Sequence, residues 1–141
     1  MNYLVRKRNK KEECFTLNEL VVVIAISNYM TARRTAAINA TKSNLRSLAT
    51  ALELYMAENN LNVYPPETGT GGINDVLPTY LPGGAPKNPA GKNYVYAQTG
   101  TPAGASFLIG DPDNYGTDVY YQVGPAGSIQ EVTFSSSLQG L

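Results

Sequence analysis

Neither glycine nor proline occurs between Phe15 and Asn60, and that absence constrains the fold more than any other feature of this 141-residue chain. Proline removes a helical donor and clashes with the preceding turn, while glycine adds backbone entropy, so a long stretch without either favours uninterrupted helix. Ala, Leu, Arg and Glu are frequent in its second half. The stretch therefore predicts one helix from Phe15 to about residue 60, roughly 70 Å long at 1.5 Å per residue.

The two halves of that helix differ. Leu20–Ile26 is apolar all round, the pattern of a helix surrounded by lipid or by other helices. From Ile38 onward the apolar positions narrow to a stripe of Ile38, Thr41, Leu45, Leu48, Leu52 and Tyr55, in alternating steps of three and four. Such a stripe buries one face, leaving Lys42, Arg46, Glu53 and Asn60 to solvent.

Asn59-Asn60 and then Tyr64-Pro65-Pro66 end the helix. Residues 61–91 are rich in Gly and Pro and read as a long loop packed across the helix, with at most one helical turn near Ile73–Leu77. Four short alternating segments follow at Asn93–Gln98, Ser106–Ile109, Val119–Val123 and Ile129–Phe134. Gly124-Pro125-Ala126-Gly127 joins the last two as an antiparallel hairpin. The expected fold class is α+β: one long N-terminal helix packed by its C-terminal half on a small antiparallel sheet of three to four strands. The segments are 1–14 (basic leader), 15–32 (apolar helix) and 33–141 (globular domain), the last with strands within 92–134 and a tail at 135–141.

Composition excludes several functions. Lys plus Arg and Asp plus Glu both number 11, so net charge gives no case for nucleic acid. The charge is unevenly placed: residues 1–14 carry five basic and two acidic side chains, the remainder six basic and nine acidic. A basic segment just before an apolar run holds the N-terminus on the cytoplasmic side. There is no His, and Cys14 is the single cysteine, which excludes an intrachain disulfide and argues against structural zinc. With no nucleophile–base pair and no His for a hydrolytic triad, the chain is read as not an enzyme.

Glu19 is the one carboxylate within the apolar segment, and a charged side chain at the centre of a membrane helix costs about 2.5–3.5 kcal/mol on insertion scales. A structural alternative exists, because Thr16-x-x-Glu19 before an apolar run is also a helix capping box. No small-x-small site follows Ile26, so an ordinary secretory signal is not indicated.

The run Phe15-Thr16-Leu17-Asn18-Glu19 after a basic leader, followed by Leu20-Val21-Val22-Val23-Ile24-Ala25-Ile26, resembles the type IV pilin and type II secretion pseudopilin superfamily. Asn44–Tyr55, Tyr64-Pro65-Pro66 and Pro86–Tyr96 are similar to these proteins too, the last resembling the loop into the sheet of the major pseudopilin. The resemblance implies cleavage between Cys14 and Phe15 by a prepilin peptidase, N-methylation of Phe15, and assembly of a homo-oligomeric filament in which Glu19 faces the Phe15 amine of a neighbour. It also implies an assembly platform and motor as partners, and a bacterial cytoplasmic membrane location with the sheet domain extracytoplasmic, at the cell surface or in the periplasm once assembled. Within the family pattern, Cys14 stands where the leader ends in Gly, and Asn18 is polar where an apolar residue is usual. Phe15–Ala32 spans 18 residues, several of them polar, against about 20 mainly apolar residues for a bilayer crossing. The alternative expectation is a membrane-anchored extracytoplasmic binding module that does not polymerise.

Two further groups have competing readings. Asp111, Asp113 and Asp118, with Asn114 between, crowd a loop that could offer oxygens to calcium, the one cofactor considered; Tyr115 stands where a helix–loop–helix calcium loop needs a ligand. A solvated turn between strands is the simpler reading. Arg33, Arg34, Lys42 and Arg46 read as helix solvation or lipid-headgroup contacts. Tyr94, Tyr96, Tyr120 and Tyr121, among 10 tyrosines, lie at strand spacing and read as sheet packing.

Overall fold

The structure, a computed structural model, describes residues 10–133, with side chains described from residue 16. Helix α1 runs Lys10–Asn59, α2 runs Ile73–Tyr80, and strands β1 to β4 are Val95–Thr99, Ser106–Gly110, Val119–Val123 and Ile129–Thr133. The class is α+β, with the four strands forming one antiparallel sheet in the order β1-β2-β3-β4. The chain divides between Thr35 and Ala36 into two units, of which the second holds the sheet.

In the first unit α1 starts at Lys10, five residues ahead of the expected Phe15. Thr16 consequently lies inside the helix, and the capping-box alternative, which needs Thr16 at the N-cap, does not describe this chain with its leader attached. The C-terminal end matches expectation. Asn60 takes a left-handed φ of 49°, and the Leu61 amide donates to the Met56 carbonyl at 3.2 Å. That is the Schellman arrangement, in which Asn adopts αL with less strain than most residues.

In the second unit the predicted stripe is the core face. Leu45, Leu48 and Leu52 are buried together with Tyr64, Ile73, Leu77, Phe107, Ile109, Tyr121 and Val123. Ile38 and Tyr55 are half-buried at the two ends of the stripe. Full burial of each leucine stabilises the fold by about 1.5–3 kcal/mol. Phe107 stands edge-on to Tyr64 with ring centroids 4.7 Å apart, and it stacks on Tyr96 at 6.4 Å.

The 61–91 segment does pack across the helix and also covers the β1 edge. Asn44 donates to the Lys87 carbonyl at 3.2 Å, and the Tyr64 hydroxyl donates to Glu53 at 3.0 Å. Burial and the Glu53 carboxylate push the Tyr64 hydroxyl up to about 12, so it remains a donor at neutral pH. Tyr96 donates to the Pro65 carbonyl at 2.7 Å, and the Tyr64 amide donates to Gly104 at 2.8 Å. Helix α2 continues beyond the expected single turn and through Pro78. Its Ile73, Val76 and Leu77 are buried, and the Leu81 amide closes the last turn on the Leu77 carbonyl at 2.8 Å. An apolar face at helical spacing outweighs the one bond that proline removes.

The hairpin of β3 and β4 is antiparallel as expected, pairing Val119 with Thr133 through Val123 with Ile129. Its connection is a short 3-10 turn at Pro125–Gly127. Strand β1 begins at Val95, two residues after the expected start, because Asn93 is engaged in a separate bridge with Lys87.

Candidate functional site

The first candidate lies on the part of α1 within the first unit. Leu17, Leu20, Val21, Val22, Val23, Ile24, Ile26, Tyr29 and Met30 all keep more than half of their surface exposed. Apolar surface of that extent on all sides of one helix is what lipid or neighbouring helices cover. Glu19 is exposed among these residues, one position before Leu20 and two after Leu17. The polar residues further along turn their hydroxyls inward. Ser27 donates to the Val23 carbonyl and Thr31 to the Ser27 carbonyl, each at 3.0 Å. These bonds to the preceding turn let Ser27 and Thr31 sit in an apolar environment with their hydroxyl protons satisfied. The break in hydropathy at Ser27 is thus gentler than its side chain suggests. Among the described residues, no helix is long and apolar enough to cross a membrane. The side chains of Cys14 and Phe15, where processing is expected, lie outside the described residues, as do residues 1–9 of the leader, Phe134 at the expected end of the last strand, and the 135–141 tail.

The second candidate is the aspartate loop between β2 and β3. Asp111 is fully buried. Its Oδ2 accepts from the Thr41 hydroxyl at 2.8 Å and the Tyr115 hydroxyl at 2.5 Å. Its Oδ1 accepts from Asn88 at 2.8 Å and from the Asp113 amide at 3.0 Å. Asn88, also buried, donates to Asp113 Oδ2 at 2.6 Å, and Lys92 pairs with Asp113 Oδ1 at 2.7 Å. The Lys92 bond holds the Asp113 carboxyl below the usual carboxylate range, with Asn88 adding to the effect against some burial. Burial, and then the Asp111 bond, push the Tyr115 hydroxyl up, which keeps it a donor.

Both oxygens of Asp111 are thus occupied by protein donors, and a buried carboxylate with several such bonds is well satisfied without a cation. The structure brings Asp111 and Asp113 together through Asn88, whereas Asp118 is exposed and lies outside this set of bonds. Among the described residues, no group of three or more His, Cys, Asp or Glu is placed to hold a metal ion. What the arrangement does is tie three segments together: α1 through Thr41, the loop before β1 through Asn88 and Lys92, and the β2–β3 loop through Asp111, Asp113 and Tyr115. Reading the residues did not find this network. The available signal was Thr41, a hydroxyl at a buried position in an otherwise apolar stripe.

A third feature is a cleft of about 450 Å³ in the second unit. Leu48, Ile73, Leu77 and Ile109 give it an apolar floor, and Glu67, Asn74 and Asn93 stand among its walls. Its size lies within the range of small-ligand pockets.

One long N-terminal helix with a small antiparallel sheet is compatible with a pilin-like fold. The chain matches no protein-family model, no curated protein and no solved structure.

Proposed function

We propose that this chain is the structural subunit of a filament of the type IV pilus or type II secretion pseudopilus kind, built through packing of its N-terminal helices after cleavage between Cys14 and Phe15. The observation that carries the reading is the exposed apolar surface from Leu17 to Met30 with a single carboxylate, Glu19, set near its start. A lone carboxylate there is costly in lipid or in a helix bundle unless a cation meets it. Cleavage would create such a cation, the amine of Phe15. Glu19 of one subunit against the Phe15 amine of the next offsets both desolvation costs and sets the register of addition. The sheet domains then form the outer surface, and the unassembled subunit is held at the cytoplasmic membrane by the same apolar segment.

The test is substitution of Glu19 by Leu. This change makes the segment more apolar, so membrane association persists while recovery of the subunit in sheared filaments is lost. Filaments recovered at the native level would overturn the pairing. The cleft on the sheet domain favours a second reading, a membrane-anchored binding module that never polymerises. Under that reading the leader stays attached and no filament forms with either side chain at position 19.

A further inference from the structure

The apolar surface of α1 ends at a pair of consecutive arginines. Arg33 and Arg34 are exposed, and the residues at helical spacing from them are Tyr29, Met30, Thr31, Ala36, Ala37 and Ile38, none of them acidic. The ion pairs among the described residues are Lys42 with Glu131 and Lys92 with Asp113, so neither Arg33 nor Arg34 is in one. The Arg33 guanidinium carbon lies 6.0 Å from the centroid of the exposed Tyr29 ring. An aromatic ring and a guanidinium together at the end of an apolar helix are the groups that settle at the headgroup level of a bilayer.

We propose that Arg33, Arg34 and Tyr29 form a headgroup collar that seats the apolar segment of α1 on anionic phospholipid bilayers, the two guanidiniums taking lipid phosphates. The geometry favours a lipid surface over a site on one protein partner. Adjacent helical residues diverge by about 100° around the axis, so the two arginines suit a layer of charge surrounding the helix better than one acidic patch. The collar also answers the shortness of the segment. A helix too short to cross needs an anchor at the interface to fix its depth, and guanidinium binds phosphate oxygens in a bidentate fork. The sequence places a second basic cluster, Arg6 to Lys11, before the apolar run, so both of its flanks carry charge of the sign that anionic lipid attracts.

The proposal rests on the membrane-anchored part of the reading above, and not on filament assembly. The full chain, diluted from detergent, is mixed with phosphatidylcholine vesicles and with vesicles that also contain phosphatidylglycerol, and binding is measured by flotation. The native chain binds the anionic vesicles more tightly, and the preference shrinks as salt rises. Each arginine removed weakens anionic binding about fivefold, so Arg33→Gln with Arg34→Gln lowers it about 25-fold. Binding to phosphatidylcholine alone changes little, Arg46→Gln changes neither, and Arg33→Lys with Arg34→Lys retains the preference. An unchanged anionic preference in the double Gln variant overturns the collar. So does an equal loss on both vesicle types, which would mean that the helix itself had been damaged. If the double Gln variant binds vesicles normally and is instead lost from sheared filaments, the arginines meet a second copy of the chain, and the collar is again overturned. A native chain that binds neither vesicle overturns the collar together with membrane anchoring. A Glu19→Leu chain that leaves filaments but keeps its lipid preference overturns nothing in the collar and supports it as separate from assembly.

Discussion

Asp111 is the residue whose surroundings are most demanding. A fully buried carboxylate has four donors on it, drawn from α1, from the loop before β1 and from its own loop. Hydrogen bonds to charged groups contribute about 1.5–3 kcal/mol, and a donor left without an acceptor costs comparably. Asp111→Asn turns an amide toward two hydroxyls that presently donate, and it is expected to destabilise the second unit by about 1–3 kcal/mol in urea unfolding. Thr41→Val should cost less than additively in the Asp111→Asn background, since both changes remove the same bond. An unchanged unfolding midpoint in Asp111→Asn would show that the network contributes nothing to stability. The network itself could not be read from the residues in order, because Thr41 and Asp111 are 70 positions apart and only folding brings them to 2.8 Å. The Asp-rich loop suggested an exposed turn or a cation site; tertiary contacts give Asp111 a different environment altogether.

Among the elements, α1 was the most legible. Its apolar spacing from Ile38 to Tyr55 predicted which side would be buried, and Asn60 ends it in the αL conformation that asparagine tolerates. The strands were legible to within two residues because alternation and turn chemistry agree at Gly124–Gly127. Helix α2 was only half visible, since Pro78 argues locally for a stop while Tyr80, beyond it, is packed against the core. Gly104 shows a second kind of constraint that spacing does not reveal. Its φ is +83°, and a Cβ there would run into Val63 and crowd the Gln98 amide nitrogen at 2.9 Å. The Tyr64 amide donates to its carbonyl, so this close approach joins the 61–91 loop to the segment between β1 and β2. Gly104→Ala is expected to cost about 1–3 kcal/mol, from backbone strain and overpacking together. Leu48→Ala, in the core face of α1, is expected to cost about 2–5 kcal/mol. Circular dichroism melts of the two variants check both, and a Gly104→Ala protein as stable as the native one would show that the loop moves freely aside.

For the molecule as a whole, the Lys92–Asp113 pair adds a small pH-dependent contribution to the stability of the second unit. The Asp113 carboxyl is held low by Lys92, so the unfolded chain takes up this proton first as pH falls. Its stabilisation is therefore present above the usual carboxylate range and is lost as pH falls through the lowered folded value. Lys92 is raised by the same pair, so its part is full below the usual lysine range and fades as pH rises through the raised value. Melting temperature against pH should show a plateau between these limits, and Asp113→Asn should flatten part of the acid limb without moving the alkaline shoulder of other groups. An acid limb identical in the variant would remove Asp113 from the account.

The filament reading joins the two units functionally: an apolar helix that needs covering and a stable sheet domain that can be displayed. Mass measurement of the chain purified from cells that contain its own prepilin peptidase tests that reading most directly. The account predicts a mature protein that begins at Phe15, fourteen residues shorter than the full sequence and carrying one added methyl group on its amine. A purified chain that still begins at Met1 and retains Cys14 would contradict it.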